Sequence, residues 1–560
     1  MPISEFLYFS THHDSINIVK NTNLKHLLHS TKQFKKLQKE TFFMSTNVTI
    51  IGLKGLEGYR IRVEVHVKDG MESIAVVGLP DASVKESKER VSSALHYMGF
   101  PLVEKKIVVN LSPPEQKKNG PLFDMAIALG ILKSGGFIKA SIPVDIAFIG
   151  ALSLDGTIHP VEGMIAVVLA ARKLKIHKLI LPYDPTIPAL DIPKVELVYI
   201  ETLQDVIDHL SGQPTLHFIQ PINKPEEPTT SKKDFSQIIG HELAKRALEI
   251  AAAGEHYVLM DGPPGCGKSL LAETFPSILP TLTQEAQLEK LSLYQLAKAT
   301  YPSLKIPPFR HPHHSASATS IIGGGTNPKP GEVSLAHNGV LFLDELGEFS
   351  KKTLDMLRQP LENEKVTISR VHSTVTYPAK FIFLAAMNPC PCGYLGSDRH
   401  YCTCSEKQIK NYKTRVSGPI LDRMDILLTL NPVSLNTSKV SDTSDTIRKR
   451  IEKAREIQYE RYGKERCNGS ASMEELTNSI SSTQLDTLQA ISIKLGLSNR
   501  VQMKIIRLAR TISDLAADKN ITDEALEEAM SLRKITTHLT FMKIPSRIGE
   551  SCHKQQKDNQ

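Results

Sequence analysis

A glycine-rich loop followed by lysine and serine is the first part of this sequence that could do chemistry. The segment YVLMDGPPGCGKSLLA (257–272) predicts an apolar strand, a Gly/Pro loop and a helix start, and its spacing fits the Walker A pattern. Glycines let backbone N–H groups close around phosphate oxygens at a helix N-terminus, where the helix dipole favours anions. The alternative is a plain glycine-rich turn. The residues expected to hold ATP are Gly262, Pro263, Pro264, Gly265, Cys266, Gly267, Lys268, Ser269 and Leu270.

A second apolar run supplies carboxylates that suit the same chemistry. The run VLFLDE (340–345) predicts a buried strand that ends in two acidic residues, which is the Walker B pattern. We expect Lys268 to reach the β- and γ-phosphates, and Ser269 and Asp344 to hold Mg²⁺. We expect Glu345 to orient and polarise the attacking water, since phosphoryl transfer depends mainly on positioning and charge stabilisation.

A third apolar run ends in an amide side chain. The run FIFLAAMN (381–388) predicts a strand that ends at Asn388, which could hydrogen-bond the attacking water. A turn residue without a catalytic role is the alternative. The position of Asn388 after the Walker A and Walker B segments favours the catalytic interpretation.

Four of the seven cysteines are clustered directly after this strand. Cys390, Cys392, Cys402 and Cys404 form two C-x-C pairs. Four thiolates suit tetrahedral Zn²⁺, so structural zinc is the favoured interpretation, with free thiols and redox chemistry as open alternatives. The N-terminus does not resemble a secretory signal, which favours a cytoplasmic protein with reduced thiols over one with disulfides.

The elements that must position these residues divide a chain that is too long for one hydrophobic core. The 560 residues are 41% hydrophobic and 23% charged, which excludes disordered, collagen-like and disulfide-scaffold classes. No apolar stretch approaches the roughly 18 residues of a membrane span, and the net charge of +8 permits polyanion binding. The predicted parts are an extension at 1–43, with Met44 as an alternative translation start, an α/β domain at 44–211, a proline-rich linker at 212–233, a second α/β domain at 234–435, a helical domain at 436–540 and a polar tail at 541–560.

The order of Walker A, Walker B, Asn-ended strand and LDR box resembles that of AAA+ ATPases. Within these, the chain resembles the magnesium-chelatase-like group and its ComM/YifB family over about residues 45–535. The segments that carry this resemblance are GLPDASVKESKERV (78–91), AAAGEH (251–256), FRHPHHSASATSIIGGG (309–325), GEVSLAHNGVLFLDEL (331–346), LRQPLE (357–362), NPCPCGY (388–394) and SGPILDRMDI (417–426).

The resemblance implies three folded parts and a ring. They are a Lon-protease-like domain (ribosomal S5 domain 2-like), an AAA+ P-loop NTPase domain and a C-terminal helical lid. ATP and Mg²⁺ would bind between the subunits of a homohexamer, with Arg423 as the arginine finger in the neighbouring site and Arg500 as the sensor-2 arginine. An ordinary surface role is the alternative for both arginines, and Arg507 competes with Arg500. The zinc knuckle, which precedes the arginine-finger box, could couple the ATP state to the subunit interface.

The implied activity is that of an ATP-driven helicase. It would encircle single-stranded or branched DNA and drive branch migration in recombination or in natural transformation of competent cells. A chelatase- or chaperone-like ATPase that remodels a protein partner is the first alternative. A nucleotide-dependent scaffold with little turnover is the second. The full set of Lys268, Asp344, Glu345 and Arg423 disfavours that scaffold.

The Lon-like domain lacks the residues of Lon chemistry. Lon proteases use a Ser–Lys dyad, but the serine position falls at Leu122 and the lysine position at Ile165. Protease activity is therefore rejected. Lys117 and Lys118 could meet phosphate in this domain, although a solvated loop is the favoured interpretation.

Two segments between the catalytic runs could meet a nucleic acid. His311, His313 and His314 precede a glycine run and Lys329, and they are interpreted as an insertion loop facing a ring pore rather than as a metal site. The stretch VTISRVHSTVTYPAK (366–380) predicts a hairpin with Arg370 and His372 near its turn, for which a purely solvated role is the alternative. In the C-terminal part, the helix at 446–462 is expected to be charged and mostly solvated, and an apolar stripe marks Val501, Ile505, Leu508, Ile512 and Leu515.

Overall fold

The structure is a computed structural model that describes residues 46–118, 120–184, 193–213, 233–301, 303–370, 373–396, 400–433, 442–463 and 465–533. The predicted extension, most of the linker, the polar tail and His372 lie outside these ranges. Within them, no helix combines the length and the apolarity that crossing a membrane requires.

The first folded part is a seven-stranded mixed sheet with four helices. Side chains alternate between the two faces of β2 (Glu57–Asp69), so Ile61, Val63 and Val65 all point into the core. The strands of the sheet follow the order β3-β4-β2-β1-β5-β8-β9. The strands, with a small β6–β7 pair, are β1 (Thr46–Lys54), β2 (Glu57–Asp69), β3 (Ser73–Val77), β4 (Lys105–Ser112), β5 (Ile146–Phe148), β6 (Ala151–Leu152), β7 (Ile158–His159), β8 (Lys178–Pro182) and β9 (Glu196–Ile200). The helices are α1 (Ala82–Tyr97), α2 (Asp124–Ser134), α3 (Met164–Lys173) and α4 (Leu203–Leu210).

The second part is built on a five-stranded parallel sheet with strand order β11-β14-β17-β10-β18. Two hairpins, β12–β13 and β15–β16, lie outside this sheet. The strands are β10 (Val258–Asp261), β11 (Phe309–Arg310), β12 (Gly323–Gly324), β13 (Lys329–Pro330), β14 (Gly339–Leu343), β15 (Lys365–Arg370), β16 (Ser373–Pro378), β17 (Phe381–Met387) and β18 (Ile426–Thr429). The helices are α5 (Glu242–Gly254), α6 (Lys268–Thr274), α7 (Gln284–Ala297), α8 (Ala318–Ile322), α9 (Glu332–Leu335), α10 (Lys351–Met356), α11 (Arg358–Asn363), α12 (Glu406–Arg415) and α13 (Gly418–Leu421).

The third part is helical and shares a hydrophobic core with one face of the parallel sheet. The predicted apolar stripe is confirmed, because Ile505, Leu508 and Ile512 of the helix Asn499–Leu515 are buried in the same cluster as Val258 and Met260 of β10. The helices are α14 (Ser444–Tyr462), α15 (Met473–Thr477), α16 (Ser482–Leu495), α17 (Asn499–Leu515) and α18 (Asp523–Ser531).

The expectation that α14 is mostly solvated is wrong. Ile447, Ile451 and Ala454 are buried in the shared core. Two of its arginines act as structural donors, since Arg455 donates to the carbonyl of Ala252 at 2.6 Å and Arg461 pairs with Asp514 at 2.6 Å. The many charged residues of this segment suggested that it is exposed, although it has a narrow apolar face. Long basic side chains do not prevent the helix from packing, because they can reach backbone carbonyls.

The first two parts are in direct contact. The β1–β2 turn packs against β16, where a Cβ placed on Gly55 would lie 2.5 Å from Val375. On α7, Gln295 accepts from the backbone N–H of Ile165, and Glu285 pairs with Arg172 at 2.7 Å. This packing brings the turn at Gly55 next to the β15–β16 hairpin.

Candidate functional site

The Walker A loop lies between β10 and α6, with its lysine folded into the loop. Gly265 and Gly267 have positive φ angles of 76° and 86°, which a residue with a side chain rarely adopts. Lys268 is only 8% exposed. Its Nζ donates to the carbonyls of Gly262 at 2.6 Å and Pro263 at 3.0 Å. Its ammonium group therefore lies inside the loop that is predicted to hold phosphates.

The two residues predicted to hold Mg²⁺ lie in contact. Ser269 Oγ donates to Asp344 Oδ2 at 2.7 Å, although the residues are 75 positions apart. The other oxygen, Asp344 Oδ1, accepts from the backbone N–H of Glu345 at 2.8 Å. A hydroxyl and a carboxylate oxygen are hard ligands of the type that Mg²⁺ prefers, so this donor set fits the ion.

Asn388 lies beside the Walker A lysine. Its Oδ1 accepts from Lys268 Nζ at 3.1 Å, so it extends the polar cluster that includes the Walker A lysine. Since β17 pairs with both β10 and β14, Asn388 lies between the Walker A and Walker B segments. The structure thus brings Lys268, Ser269, Asp344 and Asn388 to one edge of the sheet.

Glu345 has an unusual backbone and an unexpected partner. Its φ angle is 51°, in the left-handed region that non-glycine residues rarely occupy. Its side chain is 51% exposed, and its Oε2 lies 3.2 Å from Nδ1 of His314. In the sequence, His314 belongs to a predicted pore loop, and no signal there connects it with Glu345.

The other two histidines of this loop have separate partners. His311 packs on the ring of Phe342 with centroids 4.7 Å apart, and His313 Nδ1 lies 2.8 Å from Ser315 Oγ. Among the described residues, the only group of three or more His, Cys, Asp or Glu side chains close enough together to share one metal ion is the cysteine cluster. The three histidines are therefore not assembled as a metal site.

Arg423 is held by its own chain. Its Nη2 pairs with Glu362 at 2.7 Å, its Nη1 donates to the carbonyl of Pro419 at 2.6 Å, and its side chain is 12% exposed. Arg500 lies in the first turn of α17 and is exposed. The competing Arg507 is partly buried and donates to the carbonyl of Ala471 at 2.8 Å.

A buried ionic cluster, absent from the sequence interpretation, holds the loop of Arg423. Asp425 accepts from Lys504 Nζ at 2.7 Å and from the backbone N–H of Tyr257 at 2.9 Å. Lys504 also donates to the carbonyl of Arg423, while Arg533 donates to the carbonyl of Asp425 at 2.8 Å. These bonds connect the loop 421–425, which contains the LDR box, to the C-terminal helical part. The sequence signal was a lysine in the run VQMKII, next to residues of the apolar stripe.

The charge of Asp425 depends on this cluster. Burial opposes ionisation, but the positive charge of Lys504 and the neighbouring His256 hold the pKa of the Asp425 carboxyl below its ordinary value. Burial also lowers the pKa of His256 to about 4. Because the carboxyl pKa is depressed, its contribution to stability is complete above its unfolded pKa and is lost as pH falls through the folded one.

The four cysteines converge at one point. Cys390 Sγ lies 3.3 Å from Cys392 Sγ and 3.7 Å from Cys402 Sγ, and all four sulfurs lie within 4.8 Å of one another. A tetrahedral zinc site, with Zn–S bonds of about 2.3 Å, places its sulfurs about 3.8 Å apart, so this geometry fits Zn²⁺.

The cysteine knuckle also contacts the nucleotide loop. A Cβ added to Gly393, whose φ is 83°, would lie 2.6 Å from Pro264 of the Walker A loop. Only a glycine fits this close approach. The geometry of the knuckle therefore bears directly on the geometry of the loop.

The protease positions of the first domain lie in its hydrophobic core. Leu122 and Ile165 are both buried there, so neither position offers a nucleophile or a base.

The prediction of a solvated loop at Lys117 and Lys118 is wrong for Lys118. It is completely buried and its Nζ contacts the carbonyl of Pro113, and burial lowers its pKa. Lys117 is exposed, as expected.

A basic cleft lies where the first domain meets the β15–β16 hairpin. It encloses about 870 Å³ and is lined by three cations and one carboxylate. We call it the basic cleft. Its lining residues are Leu53, Lys54, Gly55, Tyr59, Glu115, Gln116, Lys117, Gly325, Thr326, Asn327, Pro328, Arg370 and Val375. The cleft thus brings together Lys117, Arg370 and the end of the glycine run at Gly325. In the sequence these are three separate candidates.

Three family models match successive parts of the chain. "Subunit ChlI of Mg-chelatase" matches residues 63–185. "Magnesium chelatase, subunit ChlI" matches residues 234–438. The C-terminal model of the same subunit matches residues 441–533.

Curated relatives match most of the chain. Competence protein ComM of Haemophilus influenzae is 40% identical over 491 residues, covering 86% of this chain and 95% of ComM. The YifB protein of Escherichia coli is 38% identical over 489 residues, with the same coverage. Lon protease 2 of Bacillus subtilis is 31% identical over 169 residues, which cover 27% of this chain and 29% of the protease.

The buried cluster yields a stability prediction. Lys504→Met removes the cation that offsets the buried charge of Asp425, so the free energy of unfolding should fall by about 3–5 kcal/mol in a denaturant titration. Lys494→Met, on the exposed surface of α16, is the matched control and should change it by less than about 0.5 kcal/mol. Equal stability of Lys504→Met and the parent protein would contradict this account.

Proposed function

Because the chain belongs to the ComM/YifB family of magnesium-chelatase-like ATPases, we propose that it is an ATP-hydrolysing ring motor that acts on DNA. Membership of this AAA+ family implies ATP hydrolysis with Mg²⁺. The observation that carries the proposal is the contact between Ser269 and Asp344 beside the folded-in Lys268.

In the proposed reaction, the residues of this chain mainly position and neutralise charge. Lys268 exchanges its bonds with loop carbonyls for bonds with the β- and γ-phosphates. Ser269 and Asp344 would hold Mg²⁺, which neutralises phosphate charge when it is bound. Glu345 orients the attacking water and accepts its proton. Asn388, whose Oδ1 accepts from Lys268 Nζ, is proposed to hydrogen-bond the same water.

The arginine finger is proposed to act between subunits of a homohexamer. Arg423 is a permanent cation, which suits stabilisation of the charge that develops on the γ-phosphate. Within one chain it is paired with Glu362, so assembly must rearrange this pair before the guanidinium reaches a neighbour's site. Lys504 and Arg533 hold the loop backbone while the side chain moves. Arg500, exposed on α17, is proposed as the sensor-2 residue.

The proposed substrate is single-stranded or branched DNA, moved during branch migration. Support comes from the similarity to a competence protein, and from the basic cleft, whose three cations suit phosphates. The alternative is an ATPase that remodels a protein partner, which the matches to magnesium chelatase subunit models favour.

A structural zinc ion is proposed as a second metal. The four converging thiols fit its tetrahedral geometry. Because the knuckle contacts Pro264, zinc would keep this side of the Walker A loop in place.

The function is tested by measuring Mg²⁺-dependent ATP hydrolysis without DNA and with single-stranded, double-stranded and four-way-junction DNA at two salt concentrations. We expect stimulation that is strongest on junctions and weaker at high salt, since phosphate contacts are salt-sensitive. Glu345→Gln should abolish turnover and still bind ATP. A rate of ATP hydrolysis that is the same without DNA and with each of these DNAs would favour a protein partner instead.

The basic cleft yields a prediction about salt dependence. Lys117→Ala and Arg370→Ala should each weaken DNA binding similarly for all DNA sequences, and each should reduce the slope of log affinity against log salt by about 1. The measurement is a fluorescence-anisotropy titration at several salt concentrations. The control Lys494→Ala removes an equal charge outside the cleft. Slopes that match the parent protein in both cleft variants would place the DNA elsewhere.

The zinc proposal predicts about one zinc ion per chain by elemental analysis of protein purified without chelators. Cys402→Ser should lose this zinc and lower the temperature of unfolding, because the metal then no longer closes the knuckle. Cys552→Ser changes a cysteine outside the two C-x-C pairs of the sequence and should keep the metal. Protein without zinc, whose four clustered thiols all react freely, would contradict the proposal.

A further inference from the structure

Aromatic rings on the surface of the cysteine knuckle have no role in the reaction or in the basic cleft. Tyr401 is 89% exposed, and it directly follows His400, which is also exposed. The ring of His400 contacts that of Tyr394, with centroids 4.7 Å apart. Large apolar groups that lie together on a surface commonly mark an interaction site. These rings offer flat faces on which a planar group can stack.

The helix that follows the knuckle carries a row of lysines on its surface. Lys407, Lys410 and Lys413 of α12 are all exposed. They recur every three residues, so each lies about 4.5 Å further along the helix than the one before it. Among the residues that the structure describes, none of the three pairs with a carboxylate. The row therefore presents three positive charges to an anionic ligand.

The packing of α12 explains why these lysines point outward. Tyr412 is the one buried residue of the helix. Its ring lies against the backbone that follows the Walker B strand, where a Cβ added to Gly347 would be 2.6 Å away. At 3.6 residues per turn, Lys407 and Lys410 lie on the face opposite Tyr412. The lysines are therefore directed to solvent by the anchoring of the helix.

The rings and the lysines belong to one well-fixed unit. Tyr401 is followed by Cys402 and Cys404, whose sulfurs converge with those of the other two clustered cysteines. The next residue, Ser405, begins α12 with a capping box, in which the side chains of Ser405 and Gln408 each accept from the other's backbone N–H. Such a platform loses little conformational entropy when a ligand stacks on it.

Flat aromatic faces beside a row of cations match the chemistry of a single-stranded nucleic acid. Unpaired bases stack on aromatic side chains whatever their sequence, and lysines neutralise the phosphates between them. A duplex keeps its bases stacked inside and offers only its phosphates to this surface. An acidic protein surface would pair with the lysines but would leave the rings unused. The combination therefore favours a single strand.

We propose that this surface, which we call the knuckle surface, binds single-stranded DNA by stacking bases on its rings and pairing phosphates with its lysines. Its residues are Tyr394, His400, Tyr401, Lys407, Lys410 and Lys413, none of which lines the basic cleft. It is thus a second place of contact for a strand. The inference rests on the proposed function, because the polyanion is taken to be DNA.

The test of stacking is a fluorescence-anisotropy titration of the full-length protein with a labelled oligothymidine, alone and in a duplex with its complement. Tyr401→Ala should weaken binding of the single strand about tenfold, the equivalent of one base–aromatic contact. The slope of log affinity against log salt should stay unchanged, because no charge is removed. Binding of the duplex should not change. Tyr401→Phe keeps the ring and should bind like the parent protein.

The lysines are tested separately, at a distance from the cysteines. Lys407→Ala and Lys410→Ala should each weaken binding of both DNA forms, and each should reduce the salt slope for the single strand by about 0.7. The control Tyr97→Ala removes a ring on α1 that is 73% exposed, and Lys494→Ala removes an equal charge on α16. Both controls should bind like the parent protein. The mass of the assembly is measured by light scattering for every variant.

The proposal is overturned if Tyr401→Ala binds the single strand as tightly as the parent protein, or if both lysine variants keep the parent's salt slope. It is also overturned if the lysine variants form a smaller assembly than the parent protein, because the surface then faces a second copy of this chain.

The outcomes separate the knuckle surface from the proposed motor function. If these variants bind the single strand more weakly, but DNA does not change ATP hydrolysis by the parent protein, the knuckle surface stands and the motor function fails. If DNA stimulates hydrolysis by the parent protein and Tyr401→Ala equally, and their affinities for the single strand are the same, the motor function stands and the knuckle surface is overturned.

Discussion

The hydrogen bonding of β17 to both β10 and β14 determines the separation of the reactive groups. Parallel strands end at one edge of a sheet, so the residues that follow these three strands must meet there. The resulting contacts are the short bonds from Ser269 to Asp344 and from Lys268 to Asn388. Two further features of the structure lie close to this edge. The cysteine knuckle contacts the Walker A loop through Gly393. Nδ1 of His314, in the loop that follows β11, lies 3.2 Å from Oε2 of Glu345.

A second group of charges lies at the opposite edge of the sheet, where β10 and β18 begin. Lys504 on a C-terminal helix pairs with buried Asp425 and holds the backbone of the loop that carries Arg423. The helical part thus shares a hydrophobic core with the sheet and also supports the proposed arginine finger. A buried ion pair is poor evidence of extra stability, but here it fixes the position of a loop. The internal pair between Arg423 and Glu362 is a contact that ring assembly would have to exchange.

The residues that are predicted to bind the nucleotide could be identified because their sequence signals are local. The Walker A pattern is a glycine-rich loop between an apolar strand and a helix, and the Walker B pattern is an apolar strand that ends in two carboxylates. Each pattern specifies the positions of its residues without knowledge of distant contacts. The role of Lys504 was not predictable, since its partner Asp425 is 79 residues away. The burial of Lys118 and of one face of α14 was also missed, because the density of charged residues suggested exposure. His314 was identified in sequence, but its proximity to Glu345 depends on how the insertion folds back against β14.

We propose that the ATP site is completed by Arg423 of a neighbouring subunit. It is tested most directly by mixing Lys268→Ala chains with Arg423→Ala chains and measuring ATP hydrolysis. Each variant alone lacks a complete site, whereas a mixed ring contains interfaces where an intact Lys268 faces an intact Arg423. The account predicts that both variants are inactive alone and that hydrolysis returns on mixing. A mixture as inactive as its components, in rings shown to contain both chains, would contradict it, as would normal turnover by Arg423→Ala alone.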